Sequence, residues 1–171
     1  HVQSLPCSTR RGTTASMKSR PWSEPRIVEW SHRLLESYHY WIGQDLIDRA
    51  GDRTAQALRL FEAAIVVVSH GVEPDPILNY GNQGALNLWE LSWEQVIQTP
   101  SRLTAEADDR TERERMLMQA RAEGYYNGYR GVRISSTGRR FLVEQAVIWN
   151  VINLAGHRIG QAAAFSQWSY L

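Results

Sequence analysis

Two stretches near the C-terminus, residues 139–151 and about 158–168, constrain this 171-residue chain more than any other feature. The first sets Phe141, Val143, Gln145, Val147 and Trp149 on one side and Leu142, Glu144, Ala146 and Ile148 on the other, the two-residue period of a β-strand. Turn-forming residues flank it, Ser-Ser-Thr-Gly at 135–138 and Asn-Leu-Ala-Gly at 153–156. With a strand at 129–134, these short loops predict three antiparallel neighbours. Both faces of the two longest strands carry apolar residues, so neither can simply face water. The rest of the chain must supply two covers.

Helices upstream can do so. After Pro21 and Pro25, the residues Ile27, Trp30, Leu34, Tyr38, Trp41 and Ile42 recur at three- and four-residue steps, one apolar stripe ended by Gly43. That aromatic helix is a cover for one face, in the same chain or across a dimer, and Trp30, Leu34, Tyr38 and Trp41 are the candidate partner face. A second helix is expected over 54–63, with Ala57, Leu58 and Phe61 inward. The β-branched run at 64–69 reads as a buried strand, and 77–80 as its return. Asn82 can cap a short helix holding Ala85, Leu86 and Leu88. Ser92 and Gln95 have capping-box spacing. A longer polar helix is predicted from Thr104 or Asp108 to a stop at Gly124, with Glu106–Arg110 and Asp109–Arg113 as i,i+4 pairs and Met116, Leu117 and Ala120 on its apolar face. Its Arg110, Glu112, Arg113, Glu114 and Arg115 read as a solvated surface.

Residues 1–20 are rich in Ser, Thr and Arg without an apolar period and read as a disordered leader. The chain begins with His and Met17 is its first methionine, so part of the leader is expected to lie outside the native protein; a native mass beginning at Met17 would support this. The leader's basic, acid-free composition leaves targeting open as an alternative. The organisation expected is thus leader 1–20, helical segment 21–63 and core 64–171. Nineteen basic against eighteen acidic side chains, with no concentrated basic face, give no footprint for phosphate backbone. The longest apolar run is far too short for a bilayer. Nucleic acid and membrane are therefore not expected partners, and a cytoplasmic setting is the default. The single cysteine, Cys7, can neither staple the fold nor form a four-thiolate zinc site.

Strand, strand, helices and a three-stranded meander is the order of a PAS-like α+β domain, an antiparallel sheet of about five strands. The stretches Val67-Val-Ser-His-Gly71, Asp75-Pro-Ile-Leu-Asn-Tyr-Gly-Asn82, Leu88-Trp-Glu90, Pro100-Ser-Arg-Leu-Thr-Ala-Glu106, Tyr129-Arg-Gly-Val-Arg-Ile-Ser135, Gly138-Arg-Arg-Phe141 and Gly160-Gln-Ala-Ala163 resemble MEKHLA proteins, in order, over about residues 30–171. That family occurs as stand-alone bacterial proteins and as the C-terminal domain of plant class III homeodomain leucine-zipper regulators. The resemblance implies PAS-like sensing or protein–protein regulation with no defined chemistry. With no homeodomain or zipper heptads in this sequence, the expectation is the stand-alone bacterial type, and DNA binding is not carried over.

The candidate chemistry is thin. His32 and His39, seven residues apart on one helix, lie about 10 Å apart along its axis, too far for one metal ion, and read as solvent-facing. His70 beside Glu73 and Asp75 could form a His-carboxylate metal cluster, but turn hydrogen bonding explains those residues more cheaply. Ser69 and His70 are adjacent and so point to opposite sheet faces, which defeats a nucleophile–base pair. No phosphate-binding glycine loop is present. A PAS-type haem would use a helical His that the long helix lacks; a flavin held without a cysteine adduct stays open. Trp89, Trp93 and Trp149 are expected to point inward, as core or as walls of a small-ligand cavity with Asn82, Arg102, Gln145 and Gln161 as polar contacts. Gln145 and Gln161 fall within apolar alternations, and buried amides need partners. Arg102 could cap a helix, pair with Glu106 or bind an anion.

Three functions remain in view: a PAS-like sensory or regulatory domain with a small ligand, acting through a partner protein or dimer; a ligand-free interaction or dimerisation module; and, with no activated nucleophile or acid–base pair in sight, an enzyme on a small organic molecule.

Overall fold

The computed structural model describes residues 20–106 and 110–171, excepting the side chains of 110–113. Leader residues 1–19, with Cys7 and Met17, and the pairs Glu106–Arg110 and Asp109–Arg113, lie outside what is described, as do Glu112 and the other side chains of 110–113. After a 3-10 turn at Pro21–Ser23 come α1 (Pro25–Ile42), α2 (Arg53–Glu62), β1 (Val66–His70), β2 (Leu78–Gly81), α3 (Gln83–Trp89) and α4 (Trp93–Val96). A second 3-10 turn, Ser101–Thr104, leads to α5 (Arg110–Glu123), β3 (Tyr125–Ile134), β4 (Arg140–Ile152), β5 (Arg158–Phe165) and β6 (Gln167–Tyr170). The sheet runs β2-β1-β5-β4-β3, every described pair antiparallel, with β6 added beside β4. This agrees with the expected antiparallel sheet of about five strands, the sixth arising because the last stretch breaks at Ser166. Its first part pairs with Val147–Ile152 and its second with Phe141–Glu144.

The local signals act where the sequence places them. Asp52, Asn82 and Ser92 each cap a helix through a side-chain oxygen, and Ser92 with Gln95 completes a reciprocal capping box. Gly43 ends α1 in the left-handed conformation that glycine adopts without penalty.

Both sheet faces are covered by the same chain. On one, α1, α2 and α4 bury Leu34, Leu35, Leu60, Phe61, Trp93 and Val96 against Val67, Trp149, Val151, Ala162 and Ala164. On the other, α3 and α5 bring Leu88, Trp89 and Met116 onto Val66, Val143, Ala146, Ile148 and Phe165. The stripe offered as a partner face is therefore spent within the chain. Leu34 is wholly buried, and Trp30, Tyr38 and Trp41 pack half-buried against the first cluster. Trp30 Nε1 donates to Ser69 Oγ at 2.8 Å and Trp41 Nε1 to the Asn150 carbonyl at 2.9 Å. In return Trp149 Nε1 donates to the Leu34 carbonyl at 3.3 Å. Gly160 permits this approach, since a Cβ there would stand 2.8 Å from the Trp30 ring. His39 is exposed and pairs with Asp45, whereas His32, expected in solvent, is half-buried with its Nδ1 unpartnered among the described residues.

Candidate functional site

Between the α3/α5 face of the sheet and the segments that cross it lies a cavity of about 720 Å³, within the range of small-ligand sites. Its apolar floor and walls come from Val68 on β1, Ile148 on β4, Phe165 on β5, Trp89 on α3 and Met116 and Leu117 on α5. The rim is the loop 71–76 together with the 3-10 turn Ser101–Thr104. Two backbone bonds lace them, Ser101 N to Pro76 O at 2.8 Å and Leu78 N to Thr99 O at 2.9 Å. Trp89 is set by donating Nε1 to the Thr104 carbonyl at 3.2 Å and by edge contacts with Phe141 and Phe165.

The polar wall centres on His70 and Gln161, cross-strand partners on β1 and β5. The alternation that buries Val66 and half-buries Val68 brings His70 to the same face. Its Nδ1 lies 2.7 Å from the Gly71 carbonyl. Burial, with Arg158 nearby, pushes the imidazole below its ordinary value; the Gly71 carbonyl, Glu73 and Gln161 oppose that shift. Glu73 accepts the Ile77 N–H at 2.8 Å, and backbone hydrogen bonds hold its carboxyl below the usual range. Arg102 pairs with Asp75 at 3.3 Å, not with Glu106, which is taken by Arg140. Arg133 donates to the Tyr129 hydroxyl at 3.0 Å and lies over its ring. No group of three or more His, Cys, Asp or Glu able to hold a metal occurs among the described residues.

Of the residues proposed from sequence, the cavity gathers Trp89, Arg102 and Gln161. The other four lie elsewhere. Asn82 is fully buried and saturated: Oδ1 accepts from Val67 N and Ala85 N, and Nδ2 donates to the carbonyls of Leu60 and Ile65. Trp93 is buried beside Phe61 and Tyr80 in the α1-side cluster. Trp149, wholly buried, belongs to that face too.

Gln145 is exposed, and the reason is a bulge. It adopts φ +55° in a slip of the β3–β4 register between the pairs Tyr129–Ala146 and Gly131–Val143, next to a second slip at Gly128, whose φ is +82°. The slip reverses the alternation of β4, sending Ala146 and Ile148 to the cavity side and Trp149 to the α1 side. Residues missed from sequence are His70 in this role, Arg133 and Arg158. The parity of Val66, Val68 and His70 was the one available signal; the arginines arrive through long-range contacts that no local pattern encodes.

Comparisons with known proteins agree with this architecture. Among solved structures, an RNA-binding light-oxygen-voltage receptor is 23% identical with a TM-score of 0.57, covering 70% of this chain and 34% of its own. A light-oxygen-voltage domain studied with a flavin analogue gives 16% and 0.53, covering 68% of this chain and 84% of its own. The PAS domain of a protein from Colwellia psychrerythraea gives 15% and 0.54, covering 70% and 98%. At such identities these establish the PAS-like fold. Among curated proteins, the homeobox-leucine zipper protein HOX9 of Oryza sativa, in both subspecies indica and japonica, is 25% identical over 150 residues. The match takes 86% of this chain and spans only 17% of the length of those relatives. They are plant proteins, so the expected stand-alone bacterial type finds no support in them. The MEKHLA domain itself is matched over residues 28–170. With the strand order, the two covered faces and that match in agreement, the chain belongs to the MEKHLA domain family.

Proposed function

We propose that this is a PAS-like sensory or regulatory domain that binds a small organic ligand in the 720 Å³ cavity and passes on its occupancy through α1 to a partner protein or a second copy. The carrying observation is the cavity itself, an apolar trough with His70 and Gln161 set together on its wall and Arg102, Arg133 and Arg158 around it. The route to α1 is short: Ser69, next to His70 on β1, holds the Trp30 indole on the opposite face. A non-enzymatic role fits the same residues, because the Ser69 hydroxyl is bonded to Trp30 and Asn79, away from His70. A cytoplasmic setting fits a chain with one cysteine and, among the described residues, no helix long and apolar enough to cross a membrane.

A flavin is the ligand named for one of the neighbouring light-oxygen-voltage domains. Here Trp89 and Phe165 could flank a planar ring and Gln161 could meet its polar edge, but no cysteine lines the cavity among the described residues. A flavin in this site would find no thiol for an adduct among the described lining residues. Haem would need an imidazole, and among the described residues His70 on β1 is the one lining the cavity.

Native mass spectrometry and visible absorption of the gently purified protein test the reading. A retained small molecule, lost on substituting Gln161 and Trp89, supports it. A chain of bare mass that no small-molecule library stabilises overturns it. The ligand-free interaction module would then be favoured by the exposed aromatic edge of β6, where Trp168 and Tyr170 stand 38% and 44% exposed.

A further inference from the structure

Tyr129, Gly131 and Arg133 on β3 stand across from Ala146, Val143 and Phe141 of β4, so all three belong to the cavity face of the sheet. The buried Tyr129 ring folds along its own strand over Gly131, where a Cβ would stand 2.6 Å from the hydroxyl and 2.9 Å from Cζ. The space that glycine leaves lets the phenol reach Arg133. Its Nη2 donates to the Tyr129 hydroxyl at 3.0 Å, and the guanidinium carbon lies 5.2 Å from the ring centroid, within cation–π range. The guanidinium is thus half-buried, bedded on a ring and pinned at one nitrogen. No carboxylate pairs with it among the described residues.

Arg133 lines the cavity on the Trp89 side, because it bridges Ala105, whose neighbour Thr104 takes the Trp89 N–H. The acids around the cavity are already spent. Asp75 pairs with Arg102, Glu106 with Arg140, and Glu73 accepts the Ile77 N–H. Arg158, the other lining arginine without an ion pair among the described residues, is exposed and sits across from Ile152, at the far end of β4.

We infer that Arg133 is the anion-reading residue of the cavity and that the ligand is a small carboxylic acid. Its carboxylate meets the free edge of the guanidinium, and its apolar body lies along Trp89, Val143 and Phe165. A guanidinium fork matches a planar carboxylate, and one already fixed by packing gives up little rotamer freedom on binding. Tyr129 is the positioning residue that holds it so. One unpaired guanidinium at this end, with Asp75 and Glu106 on the same rim, favours a single negative charge over a phosphate dianion. The inference rests on the ligand-binding reading above and adds the chemical class of the ligand to it.

The test uses the whole chain and matched probe pairs, phenylacetate with phenylacetamide and hexanoate with hexanamide. Each amide keeps the shape of its acid and loses the charge. Titrations at neutral pH are followed by NMR at the Trp89 indole N–H, whose signal in each ligand-free variant also reports that the fold is kept. Each acid should bind tighter than its amide by roughly tenfold or more, the equivalent of one charge-assisted hydrogen-bonded contact. Arg133→Gln should erase that ratio, and Arg133→Lys, which keeps the charge without the fork, should retain only part of it. Arg158→Gln should leave it in place. Acetate, the same charge without the body, should bind more weakly than hexanoate by roughly tenfold or more. Equal binding of acid and amide, a ratio undiminished by Arg133→Gln or Arg133→Lys, one lost in Arg158→Gln, or acetate matching hexanoate overturns the inference and leaves the cavity reading intact. If no probe moves the Trp89 signal, the cavity reading itself fails and takes the inference with it.

Discussion

Replacing Asn82 with Ala separates a ligand contact from a structural keystone. The side chain is buried and makes four hydrogen bonds, two accepted at 3.0 and 3.2 Å and two donated at 3.2 and 2.7 Å. They join the end of α2, the start of β1 and the first turn of α3. Removing them strips the α3 cap, about 1 kcal/mol, and leaves buried backbone groups exposed to a small void. Val67 N and Ile65 O lose the bonds described for them at about 1–3 kcal/mol each, whereas Leu60 O keeps the bond from Ala63 N. Since such terms overlap, the expected loss is about 3–5 kcal/mol, at the severe end for one substitution. For a domain of this size that lowers Tm by on the order of 10 °C and the urea midpoint by roughly 1.5–2 M. Urea unfolding followed by tryptophan emission would measure it. Asn82→Asp, which keeps the acceptor but loses both donors and buries a charge, should not rescue. A loss below about 1 kcal/mol for Asn82→Ala would refute the keystone account.

Other substitutions probe the remaining contacts. Leu34→Ala should cost about 2–5 kcal/mol, measured by the same unfolding; a loss under 1 kcal/mol would contradict burial of the α1 stripe on its own sheet. Gln145→Gly should leave ligand retention unchanged and raise stability by up to about 1 kcal/mol, because glycine carries no penalty at that positive φ; a clear loss would place the side chain in a role not seen here. The pH dependence follows from His70 and His32, both pushed below 6.5 mainly by burial. Between each folded value and 6.5 the unfolded chain binds more protons, so stability should be fully present above 6.5 and fall as pH drops through that window. His70→Phe should flatten part of the fall, and an unchanged slope would remove His70 as a contributor.

Much of the scaffold was legible because its signals are local. The α1 stripe, the caps at Asn82 and Ser92, the stop at Gly124 and the turns before β4 and β5 depend on a few neighbouring residues. The site was less legible because two of its determinants are not local. Continuous alternation along β4 predicted Gln145 and Trp149 on one face, but the bulge at Gln145 breaks the parity between them, and a glutamine at positive φ gives no sign of it in sequence. Asn82 was read both as a cap and as a ligand contact; the carbonyls of Leu60 and Ile65 settle that it has no atom left to offer. His70 drew attention for a metal, while its partner across the ladder was visible only once β1 and β5 paired.

The three indole bonds across the α1–sheet interface run in both directions, two from the helix to the sheet and one back. An apolar helix on an apolar strand face could turn or slide cheaply, since dispersion contacts are re-formed at each step. Here any such slip breaks bonds at Ser69, Asn150 and Leu34 together. The joint is keyed, so α1 cannot lubricate a displacement of β1 or β4: it must ride with those strands or detach from them.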